Sequence, residues 1–275
     1  MGVSRIGVAS STKLARRFLH VNLNTADTDR AQEFYAQCLG LTLGMHTDPG
    51  VSVDGTILAT SGDVACDTRF LYDSRWPRTS CGIELIQWLD PATAPSTGSA
   101  AAGDTPVGLS RLAFRVADRA QTVADIAGRG FDVLDRATIG VITDGPAALI
   151  RDADGVLVEI GDLLPTGPQH RVHLDGVAVS CSDLYTSVSF YSQIGFVPVS
   201  GPERVGVIRL VLPEDNDVMR LCLTQHPTSE TDSSREPNQP GLYRCALRVE
   251  DINAAIAATP DGTEVRGPVR CPLPG

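Results

Sequence analysis

One histidine and two glutamates lie in short strand-like stretches. His20 occurs in FLHVNLN, Glu84 in GIELIQW and Glu159 in GVLVEI. Imidazole and carboxylate groups carry out most acid–base catalysis, and both are common ligands of divalent metals. These three residues are therefore the first candidates for chemistry in this chain.

Three further polar residues lie in stretches of the same kind. Asn22 is two positions beyond His20, and Arg111 and Arg115 both lie in RLAFRV. Because residues i and i+2 of a strand point to one face, Asn22 is expected beside His20, and the two arginines share a face. Arginine binds anionic oxygens through paired hydrogen bonds, so these three residues are candidate substrate contacts.

The strands that carry these residues are apolar on their other face. Val21 and Leu23 alternate with His20 and Asn22, and Leu112 and Phe114 alternate in the same way with the arginines. Charged groups on one face need solvent or a pocket to accommodate them. The pattern predicts half-buried strands whose polar faces line a site.

Composition narrows the range of functions. The chain has 275 residues, 42% of them hydrophobic, which is typical of one or two globular domains. Its net charge of −10 argues against nucleic acid and anionic membranes as partners. The seven cysteines form no Cys-x-x-Cys pair, and no secretory signal or long apolar run is present. We therefore expect a cytoplasmic protein.

The chain repeats one pattern four times. Each copy has an alternating strand, an aspartate that can cap a helix, apolar residues at helical spacing and, in the longer copies, further strands. The capping aspartates are Asp27, Asp118, Asp183 and Asp251. The repeating unit is therefore predicted to be strand–helix–strand–strand–strand.

This arrangement resembles the vicinal oxygen chelate superfamily, which includes glyoxalase I, bleomycin-resistance proteins and extradiol dioxygenases. The resemblance is carried by the openings FLHVNLNTAD and LDGVAVSCSD, the strand GIELIQW and the hairpin RDADGVLVEI. It implies an α+β fold, in which tandem βαβββ modules pair into cupped mixed β-sheets with helices on the outer face.

The resemblance implies two glyoxalase-like domains. The first spans 18–162, with modules at 18–90 and 107–162, and the second spans 172–275, with modules at 172–226 and 241–275. The last module is expected to be incomplete, because the counterpart of Glu159 would fall after residue 275. Modules one and two are expected to pair. The exchanged pairing, one with four and two with three, stays open; it would place His20 and Glu84 opposite Arg244 and leave Glu159 apart.

The resemblance also implies a metal site. Three of its four ligand positions fall on His20, Glu84 and Glu159, and the remaining one falls on Arg111. One imidazole and two carboxylates could hold Fe²⁺, Mn²⁺, Zn²⁺ or Ni²⁺ and leave positions open for substrate and water. This predicts a metal-dependent lyase, isomerase or oxygenase acting on a small oxygenated metabolite, with the same three residues as catalytic groups and no nucleotide cofactor.

Arg111 supports a second interpretation. Its guanidinium could pair with Glu84 or Glu159 and balance the charge of the cup without a metal. The chain would then be a small-molecule binding or self-resistance protein, or a metal-free acid–base catalyst using His20 and a glutamate. The expected partner in every case is a small molecule, without nucleic acid or membrane, and a homodimer stays an open alternative.

Overall fold

Our computed structural model describes residues 14–95, 107–163, 171–199, 205–215, 219–226 and 236–269. Three stretches between modules, 91–106, 163–169 and 226–240, are rich in proline or small polar residues and are expected to be linkers; they lie mostly outside these ranges. Among the described residues, no helix combines the length and the apolar character needed to cross a membrane.

Modules one and two carry the elements that matter most for the site. Module one consists of β1 (Ala15–Asn24), α1 (Thr28–Gln32, continued by a π-helical segment Glu33–Cys38), β2 (Thr42–His46), β3 (Ser52–Asp54), a 3₁₀ helix (Gly55–Leu58), β4 (Asp63–Tyr72) and β5 (Gly82–Asp90). Module two consists of β6 (Gly108–Val116), α2 (Arg119–Gly128), β7 (Val133–Ile139), β8 (Pro146–Arg151) and β9 (Leu157–Asp162).

Modules three and four follow the same order. Module three consists of β10 (Val172–Cys181), α3 (Leu184–Gln193), β11 (Val197–Pro198), β12 (Val207–Val211) and β13 (Arg220–Gln225). The described part of module four contains β14 (Gly241–Val249) and α4 (Ile252–Ala257).

Each helix begins where the sequence predicts. The four aspartates at the helix starts have extended backbones, and their carboxylates accept hydrogen bonds from backbone N–H groups of the first helical turn. Gly40, Gly130 and Gly195 follow the first three helices with φ angles of 87°, 79° and 114°. Only glycine adopts this region without strain, so these residues end the helices.

The strands form two mixed sheets, as the α+β prediction required. The first sheet has the order β14-β1-β5-β4-β2, with β3 paired to β4. The second has the order β11-β12-β13-β10-β6-β9-β8-β7. In modules one to three the first and last strands are parallel neighbours, while β1–β14 and β6–β10 are antiparallel.

This topology corrects the expected pairing of modules. Module one shares its sheet with module four, and module two shares its sheet with module three, which is the exchanged arrangement. Modules one and two instead pack through their helices. Phe34 contacts Phe131 with ring centroids 5.0 Å apart, and the guanidinium of Arg30 lies 3.7 Å from the Phe131 ring centroid. The strand partners of β1 and β6 therefore come from the other half of the chain, β14 and β10 respectively.

One continuous core connects the four modules. It lies between the helices and the apolar faces of both sheets, and it includes Phe34, Ile83, Ile126, Ile160 and Leu221. Burial of this surface is the main favourable term in folding. The polar faces of the two sheets point away from this core, and each therefore forms a potential site.

Candidate functional site

The polar face of the first sheet, which we call the first cup, has its charged centre at His20, Glu84 and Arg244. Strand register places Arg244, Asn22, Glu84 and Phe70 side by side on β14, β1, β5 and β4. His20 lies one step along β1 on the same face. These five residues define the cup.

The three charged or titratable groups of the first cup are close together. His20 Nε2 lies 3.3 Å from Glu84 Oε2, and Arg244 Nη2 lies 3.7 Å from the same oxygen. Glu84 Oε2 is buried and has no hydrogen-bond partner. A buried carboxylate oxygen without a donor is costly, on the order of 1–3 kcal/mol, so this atom is a ready acceptor for a ligand.

The protonation of His20 follows from its surroundings. Burial lowers the pKa of the His20 imidazole; the positive charge of Arg244 adds to the lowering, while the Glu84 carboxylate opposes it. His20 is therefore neutral at pH 7. A neutral imidazole has one nitrogen able to accept a proton or a hydrogen bond.

Apolar side chains extend from this polar centre. The His20 and Phe70 rings meet edge to face, with centroids 5.3 Å apart. Further along β5, Ile86 and Trp88 pack with Leu58 of the 3₁₀ helix in a small cluster of their own. The polar centre of the first cup thus has apolar side chains beside it, a combination that is common in small-molecule sites.

Arg244 is held in position by the same 3₁₀ helix. Its Nη1 donates a 2.6 Å hydrogen bond to the Ile57 carbonyl oxygen, and 29% of its side chain is exposed. The other guanidinium nitrogen is left near Glu84. Arg244 therefore links module four to the part of module one that borders the cup.

Asn22 is part of the first cup but is almost fully buried. Its Nδ2 donates a long hydrogen bond of 3.4 Å to the Glu84 carbonyl oxygen, across the parallel pair β1–β5. The next residue on this face, Asn24, donates to the Pro237 and Gln239 carbonyl oxygens at 2.6 and 3.0 Å. Asn22 is thus next to the site, whereas Asn24 joins β1 to the segment before β14.

Glu159 lies elsewhere, on the polar face of the second sheet, which we call the second cup. Its Oε1 accepts hydrogen bonds from Arg111 Nη1 at 2.7 Å and from the Val141 N–H at 2.8 Å. Its Oε2 accepts from the Ile142 and Thr143 N–H groups at 3.0 and 3.3 Å. The side chain is fully buried, so this carboxylate has no oxygen left for a ligand.

The second cup is filled by the loop 140–145. Ile142 is completely buried in it, against Ala113, Ala178 and Cys222. Arg209 Nη2 donates to the Val141 carbonyl oxygen at 3.2 Å and to Asp144 Oδ1 at 2.6 Å, and Arg115 donates to the Thr143 carbonyl oxygen. The loop thus occupies the place that a ligand would take.

The six predicted site residues are therefore divided between two faces. His20, Asn22 and Glu84 meet in the first cup, while Arg111, Arg115 and Glu159 belong to the second. The expectation that Glu159 joins His20 and Glu84 is wrong. The physical reason is that β9 pairs with β6, and β6 pairs with β10 rather than β1.

The expected metal centre does not fit this arrangement of donors. A catalytic zinc site, for example, usually has three protein ligands and one open position. In the described part of the chain, no group of three His, Cys, Asp or Glu side chains could hold a metal ion. His20 and Glu84 supply two ligands, and the next residue beside them is the cation Arg244.

Two parts of the site were missed from the sequence. Phe70 alternates with Leu71 in DTRFLY, which places it on the polar face, but no charged residue draws attention to it. The loop 140–145 reads as an ordinary connection, and only the glycines around it hint at close packing. A Cβ at Gly176 would lie 2.7 Å from Ile142 Cγ2.

Known protein families and solved structures that are similar to this chain have the same fold. The family model described as Glyoxalase/Bleomycin resistance protein/Dioxygenase superfamily matches residues 17–160. Glyoxalase I from Zea mays has a TM-score of 0.64 at 20% identity, covering 88% of this chain and 77% of that one. A putative dioxygenase from Bacillus subtilis has a TM-score of 0.59 at 15% identity, with coverages of 90% and 74%.

No curated protein matches the chain. The two solved structures share the fold of this chain. At such low sequence identity, the likeness is evidence for the fold alone. The matched family segment covers more than half of the chain and contains β1 through most of β9, which are the strands of modules one and two. The chain belongs to the glyoxalase/bleomycin resistance protein/dioxygenase superfamily.

Proposed function

We propose that the first cup binds a small organic molecule that donates a hydrogen bond to Glu84, without a metal ion held by the protein. The observation that carries this proposal is the buried Oε2 atom of Glu84, which lies near His20 and Arg244 but accepts no hydrogen bond from either. A ligand N–H or O–H placed there would remove the penalty of an unpaired buried acceptor. The Phe70 ring beside His20 favours a ligand with an apolar or aromatic body.

Several features support a neutral ligand with both a donor and an acceptor. Glu84 and Arg244 have opposite charges, and His20 is neutral, so the centre of the first cup has no net charge. Arg244 Nη2 is placed to donate to a ligand oxygen beside the group that Glu84 accepts. An uncompensated charge on the ligand would be unfavourable in such a partly buried centre.

The test is a thermal-shift screen of small organic metabolites, with wild type compared to Glu84→Gln. A ligand at about 100 times its Kd stabilises the folded state by roughly 2.7 kcal/mol, which raises Tm by roughly 5–10 °C in a protein of this size. We expect Glu84→Gln to lose at least half of that shift. The matched control is Glu264→Gln. Glu264 is an exposed residue after α4, and this variant should keep the full shift.

The proposal fails if every ligand found shifts wild type and Glu84→Gln equally. Native mass spectrometry of the protein after gentle purification gives an independent readout. A bound molecule present in wild type and absent in Glu84→Gln supports the first cup as its site.

Acid–base catalysis in the same cup is a second candidate, favoured by the neutral His20 imidazole. His20 could accept a proton from a carbon or oxygen of the ligand, while Arg244 stabilises the negative charge that develops. Hydrogen–deuterium exchange into a bound ligand, followed by mass spectrometry in D₂O, would measure this step. We expect His20→Gln to abolish the exchange while ligand binding persists, and unchanged exchange would exclude His20 as the base.

A further inference from the structure

We infer that Arg244 takes the place of a third metal ligand and supplies the positive charge that a bound divalent ion would otherwise provide beside Glu84. The inference deepens the proposed function, because it concerns the same cup. The side chains that meet in this cup differ from the donors expected for a metal centre, since the third is a cation.

Strand order places Arg244 in the symmetric counterpart of the His20 position. His20 lies seven residues before the helix cap Asp27, and Arg244 lies seven residues before Asp251, so the two have equivalent places in their modules. Since β1 and β14 run antiparallel, with Asn22 opposite Arg244, these two positions converge on one face. A histidine or carboxylate at position 244 would complete a set of three with His20 and Glu84.

The guanidinium is fixed rather than free to leave. The bond from Nη1 to the Ile57 carbonyl oxygen holds it in the cup, and Nη2 remains 3.7 Å from Glu84 Oε2. An ion bound between His20 and Glu84 would meet this permanent cation at short range, where like charges repel. Arginine keeps its proton at every physiological pH, so this repulsion is always present.

A first-strand arginine also lies beside the carboxylate of the second cup, although there it comes from the same module as the glutamate. Arg111 also lies seven residues before a helix cap, Asp118, and its guanidinium pairs with Glu159 at 2.7 Å. In both cups a last-strand carboxylate therefore has an arginine from a first strand beside it. The repetition supports an arginine–carboxylate pair as the charge arrangement for which this chain is built.

Direct metal titration of the whole chain tests the inference. Tag-free protein is freed of metals with a chelator, kept reduced, and titrated with Mn²⁺ and with Ni²⁺ by isothermal calorimetry. We expect wild type to show no saturable site that depends on Glu84. Arg244→His should show one saturable Ni²⁺ site that wild type lacks, because a third ligand then joins His20 and Glu84, and adding Glu84→Gln to this variant should remove that site.

Two further variants distinguish the effect of removing the Arg244 charge from the effect of adding a metal ligand. Arg244→Gln removes the cation without adding an imidazole, and we expect a smaller gain in metal affinity than Arg244→His gives. Arg244→Lys keeps a cation and should resemble wild type. Thermal unfolding confirms that each variant is folded, and if Arg244→His fails to fold, the comparison of Arg244→Gln with Arg244→Lys decides the question.

The inference is overturned if wild type binds one equivalent of either ion at a site that Glu84→Gln abolishes. It is equally overturned if Arg244→Lys gains affinity as Arg244→Gln does, or if the folded variants gain none. Because the titration uses metal ions alone, its outcome is separate from the organic ligand screen. If no organic ligand is found but the variants bind metal in the expected order, the proposed function is refuted and the role of Arg244 still stands.

Discussion

Glu84 and Glu159 have equivalent places on the last strands of their modules, but their side chains have opposite surroundings. Glu84 is paired in register with Asn22 and leaves one buried oxygen without a donor. Glu159 is paired with Ala113, and both its oxygens accept several hydrogen bonds. The first arrangement suits a ligand site, and the second suits a structural anchor.

This contrast predicts different effects of the same substitution. Glu159→Gln removes the charge that pairs with Arg111 and turns an amide N–H₂ group toward backbone donors, so we expect a loss of about 3 kcal/mol in the free energy of unfolding. Glu84→Gln should cost less, on the order of 1 kcal/mol, because it removes the longer and partly exposed ion pair with Arg244 but no hydrogen bond to Oε2. Urea denaturation of both variants measures the difference. Equal losses would show that Glu84 is as much a structural group as Glu159.

At the scale of elements, the loop 140–145 is seated in the second cup through close contact with glycines. A Cβ at Gly176 would lie 2.7 Å from Ile142 Cγ2 and 2.5 Å from the Arg220 carbonyl oxygen. Neither neighbour can move easily, because Ile142 is fully buried and the oxygen belongs to the neighbouring strand. The loop 140–145 can therefore lie in this position only because residue 176 has no side chain.

Gly176→Ala should consequently destabilise the protein by about 1–3 kcal/mol through overpacking. The control is Gly128→Ala at the end of α2, where an added Cβ would meet nothing within 4 Å. That variant should be neutral or more stable by up to about 1 kcal/mol, since alanine favours helix over glycine. Chemical denaturation of the pair measures both effects. If Gly176→Ala is as harmless as Gly128→Ala, the loop is not packed as described.

A titratable group is buried where the π-helical segment after α1 contacts the β8–β9 hairpin. Tyr35 Oη donates a 2.6 Å hydrogen bond to Asp152 Oδ2, while Oδ1 accepts from the Asp154 and Val156 N–H groups. Burial, together with the nearby charge of Asp154, raises the pKa of Asp152 to about 7. Burial also raises the pKa of Asp154.

A raised carboxyl pKa makes stability fall as pH rises. Between the unfolded value of about 3.9 and the folded value of about 7, the folded state binds more protons than the unfolded state, so its free energy advantage shrinks with increasing pH. We expect the free energy of unfolding to drop by a few kcal/mol across this interval and then to level off. Asp152→Asn should flatten most of this slope, with a remainder from Asp154. Urea denaturation of wild type and Asp152→Asn at pH 5, 6, 7 and 8 measures this. Equal dependence of the free energy of unfolding on pH in both proteins would contradict the prediction.

At the scale of the molecule, the modules could be predicted because each repeats the same local signals. Aspartate caps, glycines at helix ends and alternating strands depend only on neighbouring residues. The partnership of modules could not be predicted in this way, since β1, β6, β10 and β14 share one alternation and any of them could pair. The contact between module one and module two is instead made beside their helices, where Phe34 packs on Phe131.

The candidate site follows the same division. His20 and Glu84 could be placed together from the sequence, because the first and last strands of one module are parallel neighbours. Glu159 could not be placed from the sequence, because its distance from His20 depends on which modules share a sheet. Arg244 becomes important for the same reason, since only the exchanged pairing brings β14 beside β1.

The exchanged pairing can be tested with one added thiol. Val21 on β1 is directly opposite Cys245 on β14, and directly opposed residues of antiparallel strands have Cα atoms close enough for a disulfide. We therefore expect Val21→Cys to form a 21–245 disulfide on mild oxidation, detected by non-reducing peptide mapping, whereas pairing of β1 with β6 would keep these thiols apart. Adding Cys245→Ser should abolish the crosslink, and Val177→Cys, whose partner across the strands is Leu112, should form none. A folded Val21→Cys protein that stays reduced, or that links position 21 to another cysteine, would contradict the pairing of modules one and four.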